Sequence, residues 1–261
     1  MWICARHPPM DHNMNHLSKC CLFILFLVLG YTIVTARASK NEPGACTCAS
    51  KVGDQCVVDV KVLHPTQLAV GMLEVERKAK DIREKTKAKR EAYLRKKAVP
   101  VVIGPAGTLY LVDHHHLVRA LMVDGIDRTY AVVRGNLVSS ADFWGAMKAK
   151  GWVFLCDENG RGPRDPSTLP TSVADMKDDP YRSLASRVED EGGIDKDQKN
   201  ALFLEFAWAN FFRPRVQIGS DFEAAVASAK TLAKSPEACG LPGYTGPRKA
   251  GCATDPPQCL P

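Results

Sequence analysis

Apolar and polar positions alternate in short blocks along this chain, and the period changes from block to block. Val57 to Leu63 sets Val58, Val60 and Val62 on one side, which predicts a strand. His64-Pro65-Thr66-Gln67 breaks it, because the proline disfavours helical geometry at His64. Val70 to Lys97 predicts one long helix, with Val75, Ala79, Ile82 and Tyr93 as a thin apolar stripe. Val99–Ile103 and Thr108–Val112 flank the turn residues Gly104 to Gly107 and predict a hairpin. Leu117, Ala120 and Leu121 then share one face of a helix that Asp124-Gly125 ends, and Thr129 to Arg134 predicts another strand. Ser139 and Asp142 resemble a capping box opening a helix with Phe143, Trp144 and Met147; Trp152 to Leu155 predicts a last strand. Asp157 to Thr171 reads as loop, and Asp179-Pro180 as the start of a helix that Gly192-Gly193 ends. Ala201 to Phe212 is apolar almost all round and predicts a buried helix, too short for a bilayer. Ser220 and Glu223 predict the cap of a final helix with Phe222, Val226, Ala229 and Leu232 on one face. The expected fold class is α+β: a small mixed-sheet domain over 57–156, then a loop and helical annex over 157–235.

The polar residues that interrupt this pattern most sharply are Asp113, His114, His115, His116 and Arg119, placed where a strand feeds the first turn of a helix. Free backbone N–H groups and the helix dipole make such a place an anion site, with the imidazoles and the guanidinium as further donors. Two other readings fit the same residues. Asp113 is a good helix N-cap, and Asp113, His114 and His116 are metal-ligand types. The cofactor stays open, a divalent metal ion being the one these residue types allow.

This stretch resembles the signature of the ParB/sulfiredoxin superfamily, in particular its ParB-like nuclease group. There a strand is followed by Asp-Gly-His-His-Arg or Gly-Glu-Arg-Arg, then by a helix with an alanine near its second turn. Asp113, His115, His116 and Ala120 match these positions, and Arg119 matches the later arginine of the second form. His114 stands where glycine is usual, and Leu117 where the last basic residue is usual. The Pro65-x-Gln67 step, the run from Asp178 to Ala185 and the stretch from Glu205 to Arg213 are also similar, so the resemblance covers about Val57 to Arg215. It implies an enzyme acting on phosphate esters, a nuclease or nucleotide phosphohydrolase. His114, His115, His116 and Arg119 would bind phosphate, Asp113 would orient a histidine or a metal, and a neutral histidine would act as base. In related amino-acid kinases an acid of the early helix is the base, which implies Glu74 or Glu76 here. A non-catalytic nucleotide or nucleic-acid binding module and a nucleotide-dependent small-molecule kinase are the alternatives.

Glu205 stands inside the apolar 201–212 segment and needs a partner there; Arg182 and Arg213 are the obvious ones. Residues 77–97 hold eleven Lys or Arg against three acids. That density fits either a solvated helix with pairs such as Asp81–Lys85 and Glu91–Arg95 or a surface for a polyanion.

Residues 1–38 read as a signal peptide or signal anchor: Cys20 to Val34 is mostly apolar, and Ala36-Arg37-Ala38 fits a cleavage site. Cleavage would leave a secreted protein without a membrane span; otherwise the segment would anchor it. It would remove Arg6, Lys19 and Arg37 against Asp11 and lower the net charge from +6 to +4, which permits an anionic ligand without demanding nucleic acid. Seven of the ten cysteines remain. Cys46, Cys48 and Cys56 belong to the 39–56 tail and its junction with the core, and Cys239, Cys252 and Cys259 to the 236–261 tail. An oxidising compartment would pair these six, with Cys156 as a buried thiol.

Overall fold

The computed structural model describes residues 42–195, 203–247, 252 and 257–261. The predicted leader, residues 1–38, and Leu202 lie outside these.

Five strands form a mixed sheet in the order β1-β6-β4-β5-β2. They are β1 (Gln55–Asp59), β2 (Leu63–Pro65), β4 (Val99–Ile103), β5 (Leu109–Leu111) and β6 (Arg128–Asn136); β3 (Ala69–Val70) pairs in parallel with β7 (Lys177–Asp178) in a separate ribbon. β4 runs parallel to β6 and antiparallel to β5, and all five of its residues are buried, as a central strand of apolar residues requires. Its odd residues face one core and Val102 faces another. Helices α1 (Met72–Arg83) and α3 (His115–Val123) cover the first face, where Val75, Ala79 and Ile82 meet Val118 and Leu121. On the second face α4 (Phe143–Ala149) packs Phe143 and Met147 on Val102 and Val112. The C-terminal helices α5 (Pro180–Asp190), α6 (Leu204–Phe212) and α7 (Phe222–Ala233) share a separate core around Leu184, Trp208, Phe212 and Ala229. No helix among the described residues is long and apolar enough to cross a membrane.

Several local expectations need correction. The strand expected over Val57–Leu63 ends at Asp59, whose carboxylate caps a 3-10 turn over Val60–Val62 and leaves Val62 exposed. The long basic helix is two helices, because Thr86 caps α2 (Lys87–Lys96) through the Lys89 N–H. The caps expected at Ser139 and Ser220 are Asp142 and Asp221, each accepting an N–H three residues on. Trp152–Leu155 forms no strand beyond an isolated bridge from Phe154 to Gln67. Cys156 is not a free thiol: it pairs with Cys259, while Cys46 pairs with Cys56 and Cys239 with Cys252. Cys46–Cys56 and Cys239–Cys252 join cysteines of the tail groups as expected; Cys156–Cys259 fastens the chain end to the core, a long-range pairing that spacing cannot reveal.

Candidate functional site

A cleft of about 550 Å³ opens where the start of α3, the end of β6 and the start of α6 meet. Gln67, Asp113, His115, His116, Arg134, Arg182, Glu189 and Glu205 supply its polar lining, and Trp152, Phe203 and Phe206 its aromatic wall. Its size suits a small ligand or one unit of a larger one.

The turn into α3 shapes one side. His114 takes the left-handed conformation at φ 64°, and α3 receives no side-chain cap. Asp113 is therefore not the cap of α3; its Oδ1 accepts the adjacent His114 N–H at 2.7 Å. The N–H groups of the first turn of α3 have no capping side chain, so the positive end of the helix, with the Asp113 carboxylate just before it, lies beside the cleft.

His115 and His116 are buried, and each accepts a backbone N–H on Nε2: from Thr66 at 3.2 Å and from Gly71 at 2.9 Å. Such acceptance requires the neutral ring with its proton on Nδ1. Burial pushes both pKa values well below the ordinary histidine value, and the Arg182 guanidinium pushes the same way. Gly71 must be glycine here because a Cβ would lie 2.4 Å from Ser183 Oγ, where α5 crosses the start of α1.

Arg182 is buried and engaged through its two terminal nitrogens, while its Nε has no hydrogen-bond partner among the described residues. It donates to Glu205 at 3.0 Å and to the Ala69 carbonyl at 3.2 Å, and stacks on the Phe206 ring at 3.6 Å. Glu205 also lies 3.9 Å from His116 Nδ1. Arg134 differs. β6 slips by one residue against β4 between Val133 and Gly135, so Arg134 is the bulged residue without a partner in β4. Its side chain is exposed, lines the cleft and has no ion-pair partner among the described residues. Asp113 is likewise exposed and free of any cation. The next residue, Gly135, lets Trp152 lie flat on β6; a Cβ there would sit 2.6 Å from the indole.

Residues 56–214 match the protein family described as "Putative ParB-like nuclease". The chain belongs to the ParB-like nuclease family. The crystal structure of protein Atu1540 from Agrobacterium tumefaciens is 35% identical to it, with a TM-score of 0.69 over 76% of this chain and 100% of that one. No curated protein matches. The fold is accordingly the ParB-like α/β fold, and the match ends near the last turn of the Glu205-to-Arg213 stretch.

Within this ParB-like fold the residues singled out from sequence separate into groups. Asp113, His115, His116, Arg182 and Glu205 share the cleft. His114 turns away from it toward Lys97 and Lys78; burial lowers its pKa against the pull of Asp113. Arg119 donates to the Ala174 carbonyl instead of facing the cleft. Arg213 pairs with Asp179 at 2.7 Å rather than with Glu205, because Asp179 is fixed at the start of α5 as its cap. Glu74 is buried under two cations, accepting from Arg77 at 2.8 Å and from Lys78 at 2.5 Å. Burial works to raise its pKa, but these bonds prevail and hold it below the ordinary glutamate value. It is not part of the cleft lining, and neither is Glu76. The metal set Asp113, His114 and His116 is not assembled, and no group of three such ligands converges among the described residues. Arg134, Trp152 and Phe203 also line the cleft, and no motif in the sequence singles them out. The one available signal for Arg134 was a charged residue ending the apolar strand Thr129–Arg134.

Proposed function

We propose that this protein hydrolyses a phosphate ester in the cleft, as a nuclease or nucleotide phosphohydrolase. The observation that carries the reading is that Arg134 and Asp113, of opposite charge and without ion-pair partners, line one cleft beside the uncapped start of α3. A guanidinium on an exposed bulge can present its fork to two phosphate oxygens. The first turn of α3 has no side-chain cap and begins at the cleft-lining His115 and His116, so its N–H groups would stabilise charge developing on the phosphorus-bound oxygens. Asp113 can take the proton of an attacking water as the P–O bond to the leaving group breaks. Arg182 and Glu205 hold the wall and add a fixed positive and negative charge to it.

The two histidines take a different part from the one the motif implies. Their Nε2 lone pairs are already committed to Thr66 and Gly71, so neither can accept the proton of a nucleophile at that atom. They fix the β2–α1 connection against α3 and so keep the cleft floor in place. That same observation favours a second reading, a binding module that holds nucleotide or nucleic acid without turnover.

The three disulfides between described residues fit an oxidising compartment. Together with the apolar leader they support a secreted protein, released by cleavage after Ala38.

The test is hydrolysis by the full chain, purified under oxidising conditions, across nucleotides, RNA and DNA, with and without divalent metals. Phosphate release or strand cleavage supports the reading. A folded protein that binds nucleotide and turns over nothing supports the binding module.

A further inference from the structure

Helices α1 and α2 are both rich in lysine and arginine, four of twelve residues in α1 and five of ten in α2, yet they dispose of the charge in opposite ways. In α1 the cations are largely neutralised inside the fold. Arg77 meets Glu74 at 2.8 Å and Asp190 at 2.5 Å, Lys78 meets Glu74, and Arg83 meets Asp124 at 2.8 Å. In α2 the single acid, Glu91, turns with Arg95 onto the Tyr130 hydroxyl. Lys87, Lys89, Arg90, Lys96 and the following Lys97 have no ion-pair partner among the described residues, and all but the half-buried Arg90 are exposed. Only Leu94 of α2 is buried. Of the two expected i,i+4 pairs, Glu91–Arg95 forms, at 3.9 Å, and is the one ion pair of α2 among the described residues, whereas Lys85 donates to the Asp81 backbone carbonyl instead of its carboxylate.

The turn after α2 leads toward the cleft: Pro100, three residues beyond Lys97, lines it, as does Asp113, the neighbour of the His114 whose ring the Lys97 charge acts on. Lys89 and Lys96 are seven residues apart, so they point the same way and stand about 10.5 Å apart along the axis.

We propose that α2 and the turn after it dock the phosphodiester backbone of a nucleic-acid strand whose reacting phosphate lies in the cleft. The inference rests on the cleft being a phosphate-ester site, and it makes the substrate a polymer. The surface offers point charges without a stacking platform, since Tyr93 is half-buried with Lys85 over its ring at 5.2 Å. Binding there is therefore insensitive to base sequence and sensitive to salt. The same lack of exposed apolar residues on α2 speaks against an acidic membrane surface, where an interfacial helix buries an apolar face.

The test is fluorescence anisotropy of labelled single-stranded RNA and DNA with the full oxidised chain, over a range of salt. Wild type is compared with a Lys89→Gln/Lys96→Gln/Lys97→Gln variant. Each lost phosphate contact removes about 0.7 from the log–log salt slope on a single strand, so the variant slope should be shallower by about 2. Affinity at low salt should fall on the order of tenfold or more, while mononucleotide binding in the cleft is unchanged. Wild-type oligonucleotide affinity and slope in the variant would overturn the proposal. So would tighter binding to phosphatidylserine vesicles or a sulfated glycan than to oligonucleotide at matched charge. Salt-dependent binding lost in the variant, with no hydrolysis by wild type, would keep the docking surface and reject the hydrolase reading of the cleft.

Discussion

His116 accepts the Gly71 backbone N–H on Nε2 at 2.9 Å, and this bond ties the first turn of α3 to the residue before α1. His115 does the same for Thr66 at 3.2 Å. Two adjacent histidines of the motif thereby act as acceptors for buried backbone donors, which would otherwise stay unsatisfied at a cost of about 1–3 kcal/mol each.

That arrangement makes stability depend on pH. Both rings are held neutral when folded, with pKa values well below the ordinary 6.5. In the unfolded chain they bind protons as pH falls through about 6.5. The unfolded state then holds more protons, so the stabilisation is fully present above that pH and is lost below it. The loss amounts to about 1.4 kcal/mol per pH unit for each ring, until the folded values are reached. Denaturant unfolding from about pH 8 to about pH 5 should show this slope, and His116→Gln should remove part of it. A flat profile would mean that the rings titrate in the folded protein as they do in the unfolded chain, and the opposite slope that they are held charged.

His114 occupies the left-handed region at φ 64°, at the position where the resembling motif has glycine. Histidine tolerates this conformation better than most residues, and a β-branched residue tolerates it poorly. His114→Gly should leave the fold intact and shift stability by no more than about 1 kcal/mol. His114→Val should cost about 1–2 kcal/mol or more. Equal stability of the two variants in chemical denaturation would show that this backbone is not strained.

Cys156–Cys259 spans 103 residues and Cys239–Cys252 spans 13. The longer bridge also seats the chain end, where Leu260 exchanges hydrogen bonds with Gly160 and Gly162, and Asn210 donates to the Gln258 carbonyl at 3.0 Å. On loop-closure entropy the long bridge contributes about 4–5 kcal/mol and the short one about 3. Replacing Cys156 and Cys259 with alanine should therefore lower the unfolding free energy more than replacing Cys239 and Cys252. The reverse order, read from urea midpoints, would reject this account of the tail.

What the sequence could show was what neighbours decide. β4 was legible because five apolar residues stand between a helix and a turn, and α5 because Asp179 and Pro180 form a cap and a first helical position. The Arg182–Glu205 pair was legible because a carboxylate in an apolar helix demands a cation. Features that depend on another strand were hidden. Arg134 faces the cleft because β6 slips against β4, and nothing within residues 128–136 announces that slip. Cys156 found its partner across the whole annex. The motif histidines were legible as a cluster but not in their roles, since those depend on which backbone donors meet their rings. Arg119 sits on the right helix, but its side chain leaves toward Ala174.

The measurement that tests the central claim most directly is the rate of phosphate-ester hydrolysis by Arg134→Ala and Asp113→Asn beside wild type, each checked for an unchanged fold by circular dichroism. Both residues are exposed and carry no ion pair among the described residues, so neither substitution should cost much stability. The account predicts that each lowers kcat/KM by at least about 100-fold, or about 2.7 kcal/mol of transition-state stabilisation. Wild-type turnover in either variant would contradict the role assigned to that residue, and in both it would place the chemistry outside this cleft.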